Sequence, residues 1–171
     1  GDKTPILYKT TDYGKTWTKI VNGIKGDHFA RTIREDPVRR GLLFAGTERG
    51  VYVSFDDGQN WQWLQKNLPF VPVHDLTIKD NDVIAATHGR SFWVMDDISA
   101  LRQYTPAIAE KGAHLFKPVD AYRTQWSGGF GGGGRGGSTV GGNPQSGAVV
   151  YYTLKSPNQK VTIDFMDAKG T

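Results

Sequence analysis

Short runs of β-branched and aromatic residues, bounded by Gly, Asp or Asn, recur up to Tyr104 and predict strands. They lie near 29–35, 42–47, 50–55 and 60–65, and again near 73–79, 83–87, 91–96 and 101–104. Leu43-Phe44-Ala45-Gly46-Thr47 and Val83-Ile84-Ala85-Ala86-Thr87 align at one fixed offset, so the second set repeats the first. After Tyr104, Thr105-Pro106 breaks the pattern, 107–111 predicts a short helical turn, and 114–123 predicts an extended segment leaving the repeats. Two more strands are expected at 148–155 and 160–167, joined by a turn at 156–159. In the second of them Val161, Ile163 and Phe165 alternate with polar residues, as a half-buried strand requires.

A motif punctuates the repeats. Thr10-Thr11-Asp12-Tyr13-Gly14-Lys15-Thr16-Trp17 and Ser54-Phe55-Asp56-Asp57-Gly58-Gln59-Asn60-Trp61 both read S/T-x-D-x-G-x-x-W. A third Asp, Asp96, follows the same kind of strand but lacks the Gly and the Trp. The carboxylates of Asp12 and Asp56 are suited to accept hydrogen bonds from N–H groups of their own turns, and Gly14 and Gly58 to take the positive φ that closes them. Trp17 and Trp61 are each expected to lay a ring across the hairpin and bury it. These residues read as structural punctuation, not as catalytic groups.

Four short strands in about 40 to 45 residues are the pattern of one β-propeller blade. The expected fold is therefore all-β: terminal propeller blades over 1–104, with Ile6-Leu7-Tyr8-Lys9 entering in the middle of a blade. A connector over 105–126, a Gly-rich loop over 127–147 and the first strands of a β-sandwich over 148–171 follow. Rings need about four to eight blades, so further blades from the same or another chain are expected to complete this one. The last residues likewise read as a turn without its returning strand.

Composition narrows the chemistry. The net charge is +4, but the 21 Lys and Arg are interspersed with 17 Asp and Glu, which argues against a phosphate-gripping surface. A single Arg135-Gly136-Gly137 beside Phe130 is weak as an RNA-binding tract, and no GK[ST] follows the glycines, so no nucleic acid is expected. With no cysteine there is no disulfide framework, thiolate metal site or thiol nucleophile. No apolar run reaches the roughly 18 to 20 residues that span a membrane.

The Asp motifs resemble the Asp-box, or BNR repeat, of sialidase-like and sortilin-like propellers. The run from Trp61 through Asn67-Leu68-Pro69 and Pro72-Val73-His74-Asp75-Leu76 to Ala86-Thr87-His88-Gly89-Arg90-Ser91-Phe92-Trp93-Val94-Met95-Asp96-Asp97 looks like the last blades of large secreted bacterial proteins labelled "glycosyl hydrolase". In that family a Gly-rich loop and an immunoglobulin-like sandwich follow the propeller, and the junction 143–152 fits. The resemblance implies a secreted or periplasmic protein of the bacterial envelope that acts as a binding or scaffold module for protein or glycan. Its alternative is a non-catalytic wall of a propeller glycoside hydrolase, since neither a sialidase arginine triad nor its Tyr/Glu pair is present here. No cofactor is implied.

Blade geometry sets the candidate ligand residues opposite the Asp turns: Glu48 and Arg49, His88 and Arg90, and His74 with Asp75, which together would line one pocket. Arg49 and Arg90 are suited to clamp a carboxylate or to pair between blades. His74 and Asp75, adjacent on a strand, are expected to point to opposite faces. His28 and His114 have no evident partner and are expected at a surface or interface. Asp96-Asp97 and Asp80-Asn81-Asp82 lack calcium-loop spacing, so turn formation is the default and no metal site is expected.

Overall fold

Local turns explain most of the strand pairing. The computed structural model describes residues 3–121, 147–167 and 169. The glycine-rich stretch, its Arg-Gly-Gly and the end of the expected connector lie outside the described residues. Strands β1 (Tyr8–Lys9) and β2 (Thr18–Lys19) flank the first Asp motif and pair antiparallel. Strands β3 (Ala30–Glu35), β4 (Leu43–Thr47), β5 (Gly50–Ser54) and β6 (Gln62–Trp63) form a four-stranded antiparallel sheet in chain order. Strands β7 (Val73–Lys79), β8 (Asp82–Thr87) and β9 (Phe92–Met95) form a three-stranded sheet on the same plan. The described residues are thus mainly antiparallel β-structure, as an all-β class requires.

Period-two alternation sorts the apolar side chains of the first sheet into two cores. Phe44, Val51 and Val53 face the second sheet and pack with Val73, Leu76, Val83, Ala85 and Ile98. Leu43, Ala45 and Tyr52 point the other way and pack with Ile24, Trp61 and Leu7, next to the first hairpin. Both β4 and β5 are therefore buried along their whole length. Close approach of the sheets is built in at Gly46, where an added Cβ would stand 2.7 Å from the Thr32 methyl and 3.0 Å from the Val73 carbonyl.

Two expected strands are absent. Residues 101–104 do not form the fourth strand of the second sheet, because helix α1 (Ser99–Gln103) occupies that part of the chain. Asp97 has φ 54°, as Tyr13 (59°) and Asp57 (63°) have at the same place in the two full motifs, but here its carboxylate accepts the Ser99 N–H at 3.0 Å and the helix begins. Long-range contacts then hold the helix. Ile98 is fully buried, and Arg102 donates to Asp36 Oδ2 at 2.9 Å, Asn81 Oδ1 at 2.5 Å and the Asp80 carbonyl at 2.7 Å.

Helix α2 (Pro106–Ala109) supplies the expected short helical turn. The segment after it does not simply lead away, since β10 (Ala113–Leu115) pairs antiparallel with β11 (Tyr152–Leu154). Of the strand expected at 148–155 only β11 forms. Residues 160–167 form no strand and are exposed throughout, Phe165 at 82%. Alternation alone cannot order a strand that has no apolar surface to cover; here β11 takes β10 as its partner instead.

Candidate functional site

Each Asp turn is a closed hydrogen-bond circuit. Asp12 accepts from the Thr16 N–H at 2.8 Å, the Thr16 hydroxyl at 2.6 Å and the Thr10 hydroxyl at 2.9 Å, and Gly14 N–H donates to Thr10 Oγ1 at 2.8 Å. Asp56 accepts from Asn60 N–H at 2.8 Å, Asn60 Nδ2 at 2.7 Å and the Ser54 hydroxyl at 2.8 Å, with Gly58 N–H donating to Ser54 Oγ at 2.9 Å. Gly14 and Gly58 have φ 88° and 85°, as the turn demands. The Thr16 hydroxyl and N–H hold the Asp12 carboxyl down at about 2. At Asp56 burial works against the charge, but the hydrogen bonds from Asn60 and Ser54 outweigh it and its pKa is also lowered.

The two tryptophans differ. Trp61 is buried, its indole N–H donating to the Ile20 carbonyl at 2.8 Å and its backbone N–H to the Asn22 carbonyl at 2.8 Å. It therefore fastens the first sheet to the chain leaving the first hairpin. Trp17, expected to be buried in the same way, is 59% exposed and donates within its own turn, to Gly14 O at 3.1 Å. No described element covers that side of the hairpin.

The opposite ends of the two sheets carry the polar candidates, held by matching backbone bonds. Glu48 N–H donates to the Phe29 carbonyl at 3.0 Å in one sheet, and His88 N–H to the Pro72 carbonyl at 2.9 Å in the other. Both leading strands slip register there, between Ala30 and Thr32 in β3 and between Val73 and Asp75 in β7. The residues displaced by these bulges are Arg31 and His74. Arg31 closes on Glu48, with Nη2 2.5 Å and Nε 2.8 Å from Oε2. The His74 ring instead meets that of His88, centroids 5.1 Å apart and planes tilted by 41°.

The other candidates sort into two clefts. Arg49 stands 3.9 Å from Asp27, and the two share with Glu48, Phe29 and Phe70 an open cleft of about 410 Å³. Asp75 is taken by Arg34 of β3 at 2.5 Å and by the Thr32 hydroxyl at 3.2 Å, so it ties one sheet to the next. His74 and Asp75 border a second open cleft of about 590 Å³ along β3, against the expectation of opposite faces. The bulge is the reason, since the extra residue breaks the alternation. Arg90 is exposed and contributes its carbonyl, which accepts from Trp93 Nε1 at 2.9 Å.

His28 is not a surface residue. It is buried, with Nδ1 2.8 Å from the Tyr52 hydroxyl and its ring edge-on to Trp63, and burial lowers its pKa. His114 is half-buried against Phe116. The acidic clusters serve as turns: Asp82 Oδ1 accepts the Asp97 N–H at 3.0 Å, and Asn81 binds Arg102. Among the described residues no group of three or more His, Asp or Glu side chains is placed to hold a metal ion. No helix there is long and apolar enough to cross a membrane.

The residues that sequence reasoning missed are Arg31, Arg34, Asp27, Phe29 and Phe70. Aligning the two repeats through their bulges would have set Arg31 beside His74 and Glu48 beside His88. No protein-family model matches the chain, and no curated protein is significantly similar to it.

Proposed function

We propose that the two sheets are consecutive blades of an Asp-box β-propeller of sortilin-like type, and that their end opposite the Asp turns binds a glycan or protein ligand. The observation carrying this reading is the repetition of the sheet plan, with β3 and β7 packed side by side and the polar turns gathered at one end. The first hairpin then stands for the outer half of a preceding blade. The expected immunoglobulin-like domain begins near β11 in this reading.

Further blades, from this or another chain, fit the face of the second sheet turned away from its core, where Phe92 is 73% and Val94 52% exposed. A secreted or periplasmic location in a bacterial envelope belongs to the same reading. Binding is favoured over hydrolysis because Glu48, Asp75 and Asp27, the carboxylates described at this end, each stand beside an arginine. A hydrolase pair needs one carboxyl free to give or take a proton.

Screening the purified chain against arrayed oligosaccharides and extracellular peptides tests the proposal. Arg49→Ala should weaken a bound ligand by about tenfold, equivalent to about 1.4 kcal/mol. Ligand capture that Arg49→Ala and Arg90→Ala leave untouched would remove the site from this end.

A further inference from the structure

We infer that His74 and His88 form a two-imidazole chelate for a borderline divalent metal ion, zinc above all. Four histidines occur in the chain. His28 is buried on Tyr52 and His114 leans on Phe116, which leaves His74 and His88 as an exposed pair. With Zn–N bonds of about 2.1 Å and tetrahedral angles, two ligating imidazole rings have centres roughly 5 Å apart. The observed separation is 5.1 Å.

Comparison with the first sheet supplies the second argument. The same two places, the bulged residue of the leading strand and the residue whose N–H is bonded to the carbonyl two positions before that bulge, hold Arg31 and Glu48 there, whose opposite charges complement each other. Two imidazoles side by side offer no such pair of opposite charges. A cation between the two lone pairs restores the complementarity. The backbone already holds the two residues together, since the His88 N–H is fixed to Pro72 two residues before His74.

Asp75 is occupied by Arg34, so the described residues offer two ligands and leave the remaining coordination positions open. Such a site takes water, or an oxygen or nitrogen donor from a ligand at this end of the sheets. The inference does not rest on the propeller reading: zinc bound by a chain that captures no glycan or peptide would support the first and count against the second.

The test is calorimetric titration of zinc chloride into the tag-free chain at neutral pH, with histidine ring resonances followed by NMR. One equivalent should bind, shifting the His74 and His88 signals while those of His28 and His114 stay in place. His74→Ala and His88→Ala should each weaken binding by at least about tenfold, the low end of what losing even an outer partner costs a metal site. His114→Ala should bind as the unaltered chain does. Both altered side chains are exposed, and circular dichroism would verify that the sheets persist. Absence of binding, or binding that survives both replacements, overturns the inference.

Discussion

In the first sheet the displaced residue of the leading strand and the first residue of the opposite turn are Arg31 and Glu48; in the second sheet the same places hold His74 and His88. At their other ends the sheets diverge as well. The first continues through Ser54-x-Asp56-x-Gly58-x-x-Trp61 into strand β6, whereas the second, having lost the Gly and the Trp, turns at Asp97 into helix α1. One backbone plan thus carries two kinds of edge. In the first sheet Trp61 clasps the neighbouring segment; in the second, which lacks it, Arg102 and Ile98 fasten the chain by a different route.

That contrast is most sharply broken at Asp36, whose side chain is fully buried beneath Arg102. Asp36→Ala takes the carboxylate from the part-buried Arg102 and leaves the Val38 and Arg39 N–H groups without their acceptor, and should cost about 3–5 kcal/mol of unfolding free energy in a denaturant titration. Trp61→Ala should cost about 3–5 kcal/mol in the same assay, because a large ring is removed from a packed site. Trp17→Ala, in the sister motif, should stay within about 0.5 kcal/mol. Equal losses at both tryptophans would mean that the two hairpins are covered alike.

Glu48→Ala sharpens the comparison at the polar end. The Arg31–Glu48 pair is about a third exposed on each side, so solvent screens it and the loss should not exceed about 1 kcal/mol. The smallest effect concerns Asp12. Its folded pKa of about 2 lies below the ordinary carboxylate value, so its contribution is complete above the unfolded pKa and disappears as pH falls through the folded one. A carboxyl ¹³C titration should place the Asp12 midpoint near 2, and Thr16→Val should raise it.

The Asp turns were legible because every bond in them spans at most four residues, from Thr10 to Gly14 and from Asp56 to Asn60. Strands β3 to β5 and β7 to β9 were legible for a related reason: apolar runs between turn residues leave little choice of pairing. Residues 101–104 misled because Leu101 and Tyr104 look like strand residues, while the contacts that decide for a helix come from Asp36 and Asn81, far along the chain. That His74 and His88 lie at one end of the sheets was legible; that their rings meet was hidden by the bulge in β7. Counting in twos from Val73 sends His74 and Asp75 to opposite faces, and only the slipped register brings His74 to His88.

The equivalence of Arg31 with His74 and of Glu48 with His88 is the claim on which the comparison turns. Transplanting the histidines tests it most directly: the double variant Arg31→His/Glu48→His should bind two equivalents of zinc where the unaltered chain binds one. A stoichiometry that stays at one in the folded double variant would contradict the account.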